Sequence, residues 1–252
     1  NKLSNGPSFD KASFLETFDG GQSFSWTIKQ SHIEGIFSKS IFRLKLIDDK
    51  LAFSVPINAD LNEESIKIYK YISGNIDFEA MRNELPWRSD RVLQKAINAF
   101  PYLRILSQPI DETLFGFLCS SAKQITQIKQ IINLASMCHG ENIGNNFYSL
   151  PSWKKIYNLE VQELKQLKLG YRAKFIKETS IFIKNNSKWL SNIGKLSLID
   201  LKRELMQLPG VGEKIADCIA LFGFNKFNAF PIDTWIRKIL TDAYALRNLN
   251  DN

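Results

Sequence analysis

Leu208-Pro209-Gly210-Val211-Gly212-Glu213-Lys214-Ile215-Ala216 decides how this chain is read. Pro209 lacks a helical N–H and ends one helix. Gly210 and Gly212 permit a tight turn with exposed backbone. Glu213 opens the next helix, where a negative side chain suits the positive end of the helix dipole. The result is two helices joined by a hairpin, with free N–H groups at the start of the second. Such groups form an anion site that a backbone phosphate can occupy without any base being read. The plainer alternative is a glycine-rich connector between two core helices.

Lys214 lies in the first turn of the second helix, facing the positive dipole end, which favours the neutral amine a nucleophile requires. A solvated surface lysine is the competing reading. Cys218 follows one turn later on the same face, where a small core residue would also fit. Nineteen positions beyond Lys214, Asp233 in Phe230-Pro231-Ile232-Asp233-Thr234-Trp235 precedes an apolar-periodic segment and reads as an N-cap. A carboxylate fixed in that way can also stabilise positive charge developing on a sugar.

The surroundings set the class of protein. The chain has 252 residues, 44% hydrophobic and 23% charged, with a net charge of +7. That is an ordinary globular composition with a mild preference for an acidic partner. The first sixty residues hold short β-branched and aromatic runs at 23–28, 41–46 and 51–55, separated by turns at 20–21, 32–35 and 48–50. From about Asn62 the apolar pattern turns helical, with segments expected at 90–100, 112–121, 125–137, 161–167, 173–184, 198–208, 213–224 and 234–246. The fold class is therefore α+β, a small N-terminal antiparallel sheet domain over 1–100 leading into a helical body over 101–252 that contains the helix–hairpin–helix motif.

Cys119, Cys138 and Cys218 are scattered and odd in number, which fits a reducing, intracellular compartment better than a disulfide scaffold. The two histidines, His32 and His139, show no metal-ligand spacing, so no metal and no cofactor is expected. No apolar run reaches membrane-spanning length, and neither a membrane partner nor an oligomer is expected.

At this point the residues resemble a known family. The hairpin through Cys218, followed by Phe230-Pro231-Ile232-Asp233, is similar to the helix–hairpin–helix DNA glycosylases, and within them to the 8-oxoguanine DNA glycosylase family. Gly20-Gly21-Gln22-Ser23-Phe24-Ser25-Trp26, Phe117-Leu118-Cys119-Ser120-Ser121 and Leu167-Lys168-Leu169-Gly170-Tyr171-Arg172-Ala173 resemble further family segments in the same order. The resemblance implies a bifunctional glycosylase and lyase acting on duplex DNA that contains an oxidised purine. Lys214 would attack C1′ and form a Schiff base, and Asp233 would stabilise the oxocarbenium-like state. The Gly21 carbonyl would accept the N7 hydrogen that 8-oxoguanine has and guanine lacks. Cys218, Phe222, Phe117 and Pro231 would line the base pocket, while Gly210, Gly212 and Ile215 would hold the DNA backbone. Tyr171 would wedge into the base stack, and Arg172, Trp235 and Gln127 would complete the DNA contacts.

Three departures bear on these roles. Ala122 stands where the family has the start of an asparagine run, Gln127 replaces an arginine, and Trp235 replaces a histidine. These imply a relaxed preference for the base opposite the lesion. The chain ends at Asn252, before the last helices that the family places over the base. The competing readings are an alkylpurine glycosylase of the same superfamily, whose members generally lack the lysine, and a non-catalytic module that only holds DNA.

Overall fold

Alternation along Ser40–Ile47 forms a strand with Phe42 and Leu44 buried and Arg43 and Lys45 exposed, as a half-buried sheet requires. In the computed structural model, which describes residue 3 and residues 6–246, this strand is β3 of a four-stranded antiparallel sheet in the order β1–β2–β3–β4. The others are β1 (Trp26–Ile28), β2 (Ile33–Phe37) and β4 (Lys50–Ser54). Ser38 and Lys39, and again Asp48 and Asp49, take positive φ between paired strands. These are two-residue turns whose twist matches the sheet.

Residues 32–35, expected as a turn, instead open β2. Gly35 is a strand residue paired with Trp26, and a Cβ there would strike the Trp26 ring and the Ser25 carbonyl. The glycine makes room for an indole lying across the sheet, and is not needed for a bend. The turn falls just earlier, where the Lys29 N–H donates to the His32 carbonyl at 2.8 Å.

An unanticipated helix, α1 (Lys11–Asp19), is capped by Asp10, whose carboxylate accepts from the Ser13 N–H at 2.7 Å. Its Phe14 and Phe18 close the sheet's inner face with Phe9, Trp26 and Phe42. Trp26 Nε1 donates to the buried Tyr71 hydroxyl at 2.9 Å, so its one polar atom is satisfied.

Helices α2 (Leu61–Tyr71), α3 (Phe78–Glu84) and α4 (Arg91–Ala99) lead into the helical body. Buried Arg104 anchors that passage, donating to the carbonyls of Ile72, Ser73 and Ile76 at 2.9, 2.6 and 3.0 Å. A buried cation needs such partners. The body comprises α5 (Ile110–Leu118), α6 (Ile125–His139), the hairpin β5 (Asn142–Gly144) and β6 (Phe147–Tyr148), then α7 (Trp153–Tyr157) and α8 (Val161–Leu164). A wide π turn over Lys165–Leu169 precedes α9 (Arg172–Asn185), α10 (Trp189–Ile193), α11 (Leu198–Leu205), α12 (Glu213–Phe224) and α13 (Thr234–Asp242).

The hairpin at 142–148 was read as neither helix nor strand. The helix expected to run to 246 ends at Asp242, and Ala245 at φ +54° lies outside a continuing helix. The helix expected over 161–167 breaks after Leu164 because Lys168 and Gly170 take positive φ.

Two hydrophobic clusters form. One lies under the sheet and includes Leu106; the other fills the helical body and includes Phe24. The chain therefore exchanges core residues across the expected division at residue 100. Residues 1–2, 4–5 and 247–252 of the expected domains lie outside the described residues.

Half-buried Glu112, in the first turn of α5, accepts the Ser38 N–H at 2.8 Å. Burial pushes its carboxyl up to about 7, and neighbouring Asp111 pushes the same way against the Ser38 bond. The folded value lies above the ordinary 4.5, so this group's contribution to stability is full below that value and is lost as pH rises through about 7. Glu112→Gln keeps the acceptor and removes the charge. It is expected to stabilise the protein by about 1 kcal/mol at about pH 8 and hardly at all at about pH 4.5, measured by urea unfolding. An equal gain at both pH values would show that charge is not the cause.

Candidate active site

Helix α12 is buried along seven consecutive residues, Ile215 to Leu221, as expected of a helix apolar on all sides. Its first turn reaches solvent, and its last residues, Phe222 to Phe224, are half-buried. Gly223 permits close packing on α5, since a Cβ there would lie 2.7 Å from Ile110 Cδ1. Two ion pairs tie α12 to α11, from Lys202 Nζ to Glu213 at 2.6 Å and to Asp217 at 3.0 Å.

The hairpin between α11 and α12 takes the form the sequence implies. Gly210 has φ +80°, and a Cβ on it would enter the Phe175 ring, so both conformation and space require glycine. Gly212 is the exposed N-cap of α12, with no side-chain cap and open space where a Cβ would stand. The first-turn N–H groups of a twelve-residue helix thus face outward.

Lys214 is half-buried, its Nζ 5.8 Å from the centre of the Phe117 ring. Phe117 stacks on Phe222 with centroids 5.5 Å apart and planes 11° from parallel, and Phe24 meets Phe117 edge-on at 5.4 Å. Cys218 is buried below the lysine. Burial pushes its thiol up to about 11; the Lys214 ammonium pulls it down, while the Asp217 and Asp233 carboxylates push it up. Lys214, Cys218 and Asp233 therefore share one electrostatic environment, although Asp233 comes from a different helix.

Asp233 is the N-cap of α13, and its carboxylate accepts from the Ile236 N–H at 2.8 Å. Pro231 is half-buried beside it. Gly21 adopts φ +98°, and a Cβ there would lie 3.0 Å from Ile125 Cδ1. Gly21 thus sits against the N-terminus of α6, in a conformation that L side chains rarely adopt.

The remaining expected residues fall elsewhere. Tyr171 is 58% exposed at the start of α9, its ring edge-on to Phe175 with centroids 5.8 Å apart. Arg172 is only 3% exposed; its Cζ lies 4.3 Å from the Tyr171 ring, its Nη1 donates to the Leu169 carbonyl at 3.5 Å, and its Nε has no partner. The guanidinium points inward, toward Cys119. Gln127 is exposed, and its Oε1 accepts the Gln124 N–H at 3.1 Å, closing the start of α6. Trp235 is 71% exposed on α13, and Ile215 is buried behind the hairpin. Among the described residues no group of three His, Cys, Asp or Glu could hold a metal ion, and no helix is long and apolar enough to cross a membrane.

Comparison with known proteins finds similarity in sequence and in fold. Residues 8–114 match the family described as 8-oxoguanine DNA glycosylase, N-terminal domain. An N-glycosylase/DNA lyase OGG1 of Arabidopsis thaliana is 28% identical over 244 residues, covering 92% of this chain and 66% of that protein. The 8-oxoguanine glycosylase/lyase of Clostridium acetobutylicum, solved with double-stranded DNA containing cytosine opposite 8-oxoG, superposes with a TM-score of 0.87. It is 27% identical, covering 98% of this chain and 82% of that one. Over residues 8–114 this chain matches that family's N-terminal domain, and over nearly its whole length it is similar to 8-oxoguanine glycosylases. A 3-methyladenine DNA glycosylase of Archaeoglobus fulgidus shares the fold alone, at 14% identity and a TM-score of 0.76, covering 96% of this chain and 86% of that one. The chain spans about two thirds of the length of the Arabidopsis relative.

Three residues around the Gly21 loop have no role in the sequence analysis. Ile125 lies against Gly21. Gln22 and Gln108 connect the Gly21 loop to α12. Gln22 belongs to a quoted motif but carried no assigned role. Gln108 lies in a loop, where periodicity says nothing.

Proposed function

We propose that this chain excises 8-oxoguanine from duplex DNA and then cleaves the strand at the resulting site. The observation that carries this reading is Lys214 in the accessible first turn of a largely buried helix, beside the Phe117–Phe222 stack, Cys218 and the Asp233 carboxylate. The names of the relatives support it: one is called a glycosylase and lyase, and another was solved on DNA carrying 8-oxoG.

In this mechanism the Lys214 amine bonds to C1′ as the glycosidic C–N bond breaks, and the bonding electrons leave with the base, which takes up a proton. Opening of the sugar ring gives a Schiff base, from which the 3′ phosphate is eliminated. Asp233 faces the positive charge that builds on the sugar, held in place by its own capping bond. The flipped base lies between Cys218 and the Phe117–Phe222 pair, with Pro231 at the wall, and the Gly21 carbonyl accepts the N7 hydrogen. Guanine would leave that carbonyl facing a lone pair, and an unpaired buried acceptor is a strong basis for rejection.

The outward N–H groups of the hairpin at Gly210, Gly212 and Ile215 take a backbone phosphate. Flipping a base costs a few kcal/mol, and Tyr171 entering the vacated stack offsets it. Arg172 must turn outward from beneath Tyr171 to reach the opposite base, while Trp235 and Gln127 lie along the DNA path.

Relaxed choice of the opposite base belongs to the same proposal. Ala122 offers no side-chain hydrogen bond, and Gln127 is short, neutral and occupied as a helix cap. Each lost base contact removes about 1–3 kcal/mol of discrimination. The test is single-turnover excision with borohydride trapping on four duplexes that differ only in the base opposite 8-oxoguanine. A covalent adduct is expected with all four, at rates within roughly tenfold of one another. Absence of any adduct overturns the lyase reading, and a cytosine preference of about a hundredfold or more overturns the relaxed choice.

A further inference from the structure

The Gly21 loop is held by a ladder that runs outside the cleft. The Gln22 side chain spans the 104–106 backbone, its Nε2 donating to the Arg104 carbonyl at 2.8 Å and its Oε1 accepting the Leu106 N–H at 3.0 Å. The Gln22 carbonyl accepts from Gln108 Nε2 at 2.5 Å. The backbone N–H of Gln108 in turn donates to the Phe222 carbonyl at 2.8 Å. One residue thus bridges the loop that presents the Gly21 carbonyl and the helix that carries Lys214.

We infer that Gln108 is a positioning residue for damage recognition, fixing the Gln22–Ser23 peptide and through Gln22 the place of the adjoining Gly21 carbonyl. This inference rests on the reading of Gly21 proposed above. Glycine at φ +98° leaves the Gly21–Gln22 peptide free to rotate. A flipped peptide would present the Gln22 N–H to the cleft in place of the Gly21 carbonyl. A donor there opposes the N7 hydrogen of 8-oxoguanine and suits the N7 acceptor of guanine, so a flip would invert the recognition. Gln22, held at both its side chain and its carbonyl, fixes the Cα at one end of that peptide and so restricts how far the Gly21 carbonyl can shift. Gln108 supplies the only one of these bonds that also reaches α12, so it sets the reader and the nucleophile in one frame.

The test is Gln108→Met, which keeps the length of the side chain and the backbone bond to Phe222 but loses the donor. Two single-turnover reactions are compared in the same duplex: release of 8-oxoguanine, and strand cleavage at a preformed abasic site, which has no base to read. Base release is expected to fall about tenfold, the scale of one lost hydrogen bond near 1.4 kcal/mol. Abasic-site cleavage should stay unchanged. Gln108→Glu, isosteric and without the donor, should give the same split if the methionine variant does not fold. Equal losses in both reactions, or no loss in either, overturn the inference. Failure of the wild-type protein to release 8-oxoguanine overturns the underlying reading instead, and the inference falls with it.

Discussion

Purified Lys214→Gln protein is expected to bind duplex DNA nearly as well as the wild type, yet release no 8-oxoguanine and form no borohydride-trapped adduct. The substitution removes the nucleophile proposed above and leaves the hairpin untouched. Gly210, Gly212 and the open first turn of α12 offer backbone N–H groups, and their phosphate contacts do not depend on the side chain at 214. Glutamine approximates the length of the lysine stem, so packing near the Phe117 ring is largely retained. The loss in rate should reach about 10³-fold or more, the scale seen when a covalent nucleophile is removed. Binding is followed by fluorescence anisotropy at fixed salt and chemistry by single-turnover gel assay. Strand cleavage retained in this variant would place the nucleophile elsewhere.

Asp233→Asn should separate the cap from the charge. The amide oxygen of asparagine can still accept the Ile236 N–H, so α13 keeps its start and stability should change by less than about 1 kcal/mol. The negative charge proposed to stabilise the sugar is lost. Removal of a preorganised stabiliser of developing charge typically costs 10²–10³ in rate, about 2.7–4 kcal/mol, and that is the fall expected in base release. The Cys218 thiol, now pushed up in part by the Asp233 carboxylate, should also titrate lower in the variant. An active Asp233→Asn enzyme would reduce Asp233 to a helix cap.

These two residues were legible early because their signals are local. The bounds of α12, Glu213–Phe224, coincide with the apolar segment read from the sequence, since a helix buried on every side has no amphipathic edge to misplace. Gly210 was legible for a similar reason: a Pro-Gly-Val-Gly string admits few backbone paths. β3 and β4 followed from alternation.

Other features had no local sign. Gly35 looked like a turn because glycine usually marks one; it serves a strand because the Trp26 indole lies over it. Arg172 reads as an exposed partner for DNA, yet it lies beneath Tyr171 with its Nε unpaired, a placement set by α5 and α9 together.

By itself the sequence determined the α+β class, the hairpin, the capped start of α13 and the identity of the nucleophile candidate. Each depends on a spacing or a residue type within one turn or one strand. Only the tertiary structure decided what holds the Gly21 loop and ties it to α12. Gln22 reaches backbone more than eighty residues away, and Gln108 joins that loop to a helix more than a hundred residues downstream. Periodicity records which face of an element is buried. It carries no record of what packs against that face, and bonds made by loop side chains across such separations leave no pattern in the chain.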